Sequence, residues 1–188
     1  KVGTAGEAVG IHHSHFYATG NPGAAAAPTP GLAGAALTTY AGQLPWTNPV
    51  TGNSYIARFC ASASVAAGLW LLDRLWHNSG IVVTTTTAQT LNSVAWPARS
   101  NDGTVNGLGV MVAIEVRTAT TNAAAITNTT MSYTNQAGTA GRVATIASFP
   151  VTAVIGTYVP FQLAAGDTGV RSIQSITLGT SYVAGAIH

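Results

Sequence analysis

His12, His13 and His15 form the one local group of side chains in this chain that could grip a metal ion. Their i, i+1, i+3 spacing offers at most two imidazoles to a single ion, and Glu7 is the one carboxylate nearby. The spacing therefore predicts an arm that docks on a neighbour or lies in solvent, with no metal site. The remaining carboxylates are Asp73, Asp102, Glu115 and Asp167, and none is placed beside another for acid–base work. Asp102 in Asn-Asp-Gly and Asp167 in Gly-Asp-Thr-Gly stand where an aspartate caps its own turn. Glu115 and Arg117 lie two apart, the spacing of a surface pair on one strand face or of a cross-strand partner for another chain. Asp73-Arg74 interrupts the most apolar run. Neighbours on a strand face opposite sides, so each needs its own partner, and the pair is expected to hold that strand in register.

Nucleophile and phosphate motifs are missing: there is no Gly-x-Ser-x-Gly elbow, no phosphate-binding glycine loop and no calcium ladder. The residue pattern predicts no catalytic, cofactor-binding or metal-binding residues, and a chain that is not an enzyme. His77 precedes the turn Asn78-Ser79-Gly80, which predicts a structural hydrogen bond. Cys60 is the sole cysteine, so no intramolecular disulfide can form, and its apolar neighbours predict a buried, inert thiol. Trp46, Trp70, Trp76 and Trp96 could stack on a sugar. Trp70 and Trp76 fall in the apolar run and Trp96-Pro97 reads as a packed corner, so core or subunit contacts are the expected roles.

The elements that must position these residues divide the chain in two. Residues 1–53 read as an extended Ala/Gly/Pro-rich arm. Gly23 to Gly31 is small and proline-rich, Leu32 to Tyr40 offers a short helix weakened by Gly34, and Pro45-Trp46, Asn48-Pro49 and Thr51-Gly52-Asn53 punctuate the remainder. Residues 54–188 read as an all-β domain, an antiparallel β-sandwich. Tyr55–Ser64 and Gly68–Trp76 are two apolar runs, with a helix over Val65–Trp76 as the alternative. Ile81–Leu91 is β-branched with four threonines in a row. Gly109–Thr118 alternates Val110, Val112, Ile114, Val116 against Met111, Ala113, Glu115, Arg117. Thr127–Asn135 and Gly141–Ser148 flank a hairpin turn, and Thr157–Leu163 and Val170–Gly179 follow, the latter with Ile173, Ser175 and Thr177 opposing Gln174, Ile176 and Leu178. That makes about eight strands at the spacing of a sandwich, with no βαβ rhythm.

Composition narrows the function classes. Of 188 residues only 7 are Lys or Arg and 5 are Asp or Glu, 6% in all, against about 25% in an average soluble domain. A chain this poor in charge cannot rely on repulsion to stay dispersed, which points to a subunit held in an assembly. The net charge of +2 and the scattered basic residues give no nucleic-acid footprint. The apolar run Val65–Leu72 stops at Asp73-Arg74, well short of the roughly 20 residues of a membrane span. No signal-peptide pattern is visible. The start at Lys1 and the end inside a strand-like run read as a trimmed, processed or partial chain.

The strings Asp73-Arg74-Leu75-Trp76-His77-Asn78-Ser79-Gly80-Ile81, Val94-Ala95-Trp96-Pro97, Thr129-Thr130-Met131-Ser132-Tyr133-Thr134-Asn135, Val159-Pro160-Phe161-Gln162-Leu163 and Gly169-Val170-Arg171-Ser172-Ile173 resemble tailed-bacteriophage virion proteins of the capsid decoration, or cement, type. The resemblance runs over roughly Ile56 to Gly179. It implies a β-sandwich, often a jelly roll, on the outer capsid surface. Its implied partners are the major capsid protein and copies of itself, as a homo-oligomer such as a trimer, with no nucleic acid, membrane or cofactor. Trp46 and His12–His15 are then expected to contact a neighbour or the shell. The alternative is a phage tail-fibre or receptor-binding, carbohydrate-binding module, though no fixed repeat period is present. A host hydrolase or lectin-like enzyme is disfavoured by the few carboxylates.

Overall fold

Period-two alternation is cleanest over Thr129–Asn135, and in the computed structural model that run lies at the centre of the larger sheet. The structure describes residues 1–3, 7–47, 49–64 and 66–188. Among them the strands are β1 (His12–His13), β2 (Ala35–Ala36), β3 (Trp76–His77), β4 (Gln89–Thr90), β5 (Ala113–Thr118), β6 (Thr129–Asn135), β7 (Arg142–Ile146), β8 (Thr157–Pro160), β9 (Val170–Thr177) and β10 (Ala186–Ile187). The one helical piece among the described residues is a 3-10 turn at His15–Tyr17, capped by the Ser14 hydroxyl accepting from the Phe16 N–H. The protein is all-β and antiparallel. One sheet runs β1-β8-β5-β10, a second β4-β9-β6-β7, and β2-β3 form a separate two-stranded pair.

The two larger sheets share one core. Ile114 and Val116 of β5, Met131 and Tyr133 of β6, and Ile173 and Ile176 of β9 are all buried in it. Phe149 and Tyr182 meet edge to face at 4.6 Å between ring centroids. Burial of each such side chain contributes roughly 1.5–3 kcal/mol. Ile173 and Ile176 point inward together, which strict alternation forbids. The reason is a bulge: β6 pairs Ser132 with Ser175 and Tyr133 with Ile173, so Gln174 is an extra residue on β9. The opposed faces expected for Ile173 and Ile176 are corrected accordingly.

The hairpin expected after Asn135 is present. The Asn135 side-chain oxygen accepts from the N–H of Ala137 and of Thr139, and Gly138 takes φ 86 to close the turn. Trp96 is the buried corner that its sequence context predicts.

Other expectations are overturned. Leu32–Tyr40 forms no helix, because β2 pairs with β3 and Gly34 sits at φ 72 against the Trp76 indole, where any Cβ would collide. Ile81–Leu91 forms no continuous strand. Only Gln89–Thr90 pairs with β9, while the Gln89 carboxamide accepts from Val82 N–H and donates to Val82 C=O, occupying groups a ladder would need. Neither the two strands nor the helix read over 55–76 forms, apart from the start of β3 at Trp76; Val65 lies outside the described residues. Leu69 to Leu72 are exposed instead of buried, and Cys60 is exposed rather than enclosed. In Asn48-Pro49, Asn48 likewise lies outside the described residues.

The first segment ties itself down by short pairings. Lys1 Nζ donates to the carbonyls of Phe16, Ala18 and Gly23, β1 pairs with β8, and β2 with β3. Phe16, Ala18, Ala25 and Leu37 are buried.

Candidate functional site

Arg74 precedes β3 and reaches across to β5. Its Nη1 and Nη2 donate to the two Glu115 carboxylate oxygens at 2.7 and 2.8 Å, a bidentate fork. The Arg74 side chain is 19% exposed and that of Glu115 3%. Glu115 faces away from Ile114 and Val116, so the second face of β5 is also covered, here by Arg74. The surface pairing of Glu115 with Arg117 expected from their spacing is thus replaced by a buried pair with Arg74. The Arg74 guanidinium carbon also lies 4.2 Å from the centre of the Phe16 ring, joining the first segment to the sandwich.

Two histidines complete the cluster. Arg74 Nη1 lies 3.0 Å from His77 Nδ1. A guanidinium can only donate, so His77 Nδ1 accepts and the ring proton sits on Nε2. Nε2 then donates to His188 Nδ1. The circuit closes through the backbone, where Glu115 and His188 exchange N–H···O bonds at 3.0 and 2.9 Å. Burial first, then the Arg74 charge and His188, holds His77 down to about 3. Burial, then Arg117, holds His188 down to about 4. Burial also raises the phenols of Tyr17, Tyr40 and Tyr158 around the same pair. The arrangement acts as a clamp joining the first segment, β3, β5 and the C-terminal strand.

The other carboxylates are engaged one by one. Asp73 accepts from Arg99 Nε at 2.8 Å and Nη2 at 3.0 Å, and the same Nη2 donates to the Leu37 carbonyl. The expectation of separate partners for Asp73 and Arg74 is met, but Asp73 is solvated, its side chain 57% exposed. Asp167 accepts from Tyr133 Oη at 2.5 Å, Asn135 Nδ2 at 2.7 Å and Arg142 Nε at 2.8 Å. Arg142 and then Tyr133 hold its carboxyl down to about 2. Asp102 caps its turn through Ser100 Oγ and both the N–H and Oγ1 of Thr104, as its Asn-Asp-Gly setting predicts. Glu7 lies 3.3 Å from His15 Nε2.

The three clustered histidines do not converge. His12 stacks against Trp70 with centroids 4.6 Å apart, His13 Nε2 accepts from the Ala8 N–H, and His15 faces Glu7. Among the described residues no group of three metal-ligating side chains gathers. Between the sheets lies a cavity of ≈ 20 Å³ bordered by Asn78, Ile114, Met131, Ile176 and His188, too small for a substrate. An open cleft of ≈ 260 Å³ beside His12, Ser148, Pro150 and Tyr158 has that one histidine and no carboxylate.

The largest feature is a loop that leaves and returns at one point. The Leu37 N–H donates to the Leu75 carbonyl beside the β2-β3 pair, and Arg99 bridges Leu37 and Asp73, so the base is closed. Tyr40 still packs on Phe16, and Gly42 on Gly23 and Ala25. From Leu44 to Asp73 every described residue except Ser54 is exposed. Within it Tyr55, Ile56, Phe59, Leu69, Trp70, Leu71 and Leu72 present large apolar side chains, Tyr55 at 81% exposure and Trp70 at 54%. Arg58 is the single charge between Leu44 and Leu72.

Sequence reasoning singled out Asp73 and Arg74 but missed their partners Arg99 and Glu115, and it missed His188. The available signal was Arg74 itself. A guanidinium set in an apolar run needs a carboxylate, and Glu115 stands between two core residues. Comparison of the chain with protein-family models, with curated proteins and with solved structures finds no match.

Proposed function

We propose that this chain is a non-enzymatic structural subunit of a virion, of the decoration or cement type. In this reading it sits on the outer surface of a phage capsid and bridges major capsid subunits together with further copies of itself. The observation that carries the reading is the anchored, almost uncharged apolar loop from Leu44 to Leu72. Exposed apolar area of that extent marks an interaction surface, and a free monomer would be prone to precipitate through it. The charges agree with it, since each of the five carboxylates has a structural partner within the chain. The phage-like strings from Asp73 to Ile81 and from Val159 to Ile173 supply the shell as the assembly.

The test is thermal. Particles stripped of the protein, or made without its gene, are expected to release their DNA at a lower temperature than complete particles, and labelled protein should locate on the head. Equal heat resistance would sink the cement reading. The exposed Trp46 and Trp70 favour a second reading, a carbohydrate-binding tail-fibre module. Reproducible binding to one host glycan, lost in Trp70→Ala, together with a tail location, would establish that reading instead.

A further inference from the structure

We infer that the apolar stretch 55–72 is seated on a second copy of this chain, where it pairs with the part of that copy's β7 edge left open at Val143. The inference rests on the reading of the chain as a structural subunit, but not on the identity of the shell.

Four observations lead there. First, the stretch can run as strand: Tyr55, Ala57, Phe59, Ala61 and Ala63 share one face of an extended chain, with Ile56, Arg58, Cys60, Ser62 and Ser64 on the other. Second, that strand is unpaired in the single chain. Among the described residues of 55–73 no backbone–backbone hydrogen bond is formed, and a Cβ added at Gly52 or Gly68 would meet nothing within 4 Å. Third, its seven large apolar side chains expose on the order of 700 Å², given 150–250 Å² for a buried aromatic. One side of a stable interface needs about 800 Å². Fourth, the chain holds a matching edge. Thr145 exchanges both backbone bonds with Gln162 on the side of β7 away from β6. Alternation turns the N–H and C=O of Val143 to that same side. There Val143, 53% exposed, has no backbone partner among the described residues.

These features select among occupants. A lipid surface would cover the apolar side chains but leave the unpaired backbone donors and acceptors without partners. A second copy supplies both, and each chain offers one donor stretch and one acceptor edge. Head-to-tail contacts of this kind close into a ring when the rotation allows it.

The experiment is sedimentation of the full chain, with far-ultraviolet circular dichroism to confirm the β-sheet fold of each variant. The wild type is expected at a multiple of the 19.0 kDa chain mass. L69D/L71D, placed in the exposed loop where the sandwich does not use them, should run as a folded monomer, its association weakened by roughly thirtyfold or more. Val143→Pro removes an N–H that β6 does not use, so it should also weaken association with the fold intact. A wild-type monomer, or unchanged mass in L69D/L71D, would overturn the proposal. So would a monomer that floats with phosphatidylcholine vesicles or associates only on adding capsids. Unchanged mass in Val143→Pro would overturn β7 as the acceptor. Failure of the cement reading shows separately, as unchanged heat resistance of stripped particles whatever the mass of the free chain.

Discussion

Arg74 carries its charge in a setting with little water, and Glu115 with its bidentate fork makes that tolerable. Glu115→Gln should therefore cost about 3–5 kcal/mol, because it leaves the guanidinium buried and uncompensated, while R74M/E115L should recover most of that loss. Urea unfolding of R74M, E115L and the double variant measures the coupling, and additive losses would refute it. Asp73 is different. Its pair with Arg99 is solvent-exposed, so Asp73→Asn should cost no more than about 1 kcal/mol. The histidine pair makes the clamp sensitive to acid. Protonating His77 on Nδ1 would set an N–H against the Arg74 Nη1 donor. Both histidines titrate lower in the folded chain than the ordinary 6.5, so the unfolded chain binds more protons between those values. Their contribution is complete above about pH 6.5 and fades as the pH falls towards 4 and then 3. Urea midpoints of wild type should fall between pH 7 and 4, and those of His77→Gln should fall less. Parallel curves would count against the clamp. Asp167 adds its own loss only below the ordinary carboxylate range, as the pH approaches 2.

Strands that were legible in the sequence are those whose partners and core lie in the same chain. β6 and β7 flank a turn whose chemistry is local, and Asn135 carries it. Asn135→Ala removes the acceptor for two backbone N–H groups and the donor to Asp167, and should destabilise by about 1–3 kcal/mol. Thermal unfolding of the variant against Thr134→Ala, whose hydroxyl accepts only from Gln174, separates the cap from general strand effects. β8 lies within the run read over Thr157–Leu163, and alternation also located β5 and β9. It failed at the Gln174 bulge, which shifts the inward face without any glycine or proline to announce it. β1, β2, β3 and β10 are two-residue pairings, too short to leave a period in the sequence. Residues 55–72 failed for a further reason. Their pattern describes a buried strand, and nothing within the chain buries it. Of the clamp, Arg74 was legible by its apolar setting. Glu115 was hidden by its regular spacing from Arg117, and His188 by a sequence separation that no local pattern spans.

At the scale of the whole molecule the chain combines a stapled sandwich with one anchored, uncovered loop, and proteolysis should read that division directly. Lys1 donates to three carbonyls, Arg74, Arg99 and Arg142 are paired with carboxylates, and Arg117 and Arg171 lie on β5 and β9. Arg58 lies in the exposed loop without a strand around it. A protease binds its substrate as an extended strand, so it cuts where the backbone is exposed and free of ladder bonds. Trypsin acting on dispersed monomer, such as L69D/L71D, is therefore expected to cut first after Arg58. The two pieces, 1–58 and 59–188, should stay together, because His12 and His13 pair with β8, Ala35 and Ala36 pair with β3, and Phe16 stacks under Arg74. The nicked protein should keep its β-sheet dichroism and elute at the mass of the intact chain until urea separates the pieces. A first cut elsewhere, or dissociation on nicking, would show that the base is not closed as the Leu37–Leu75 and Asp73–Arg99 contacts require. In the assembled wild type the same bond should be cut far more slowly, since the loop would then lie against its neighbour. Equal rates in the two states would mean that assembly leaves the loop uncovered.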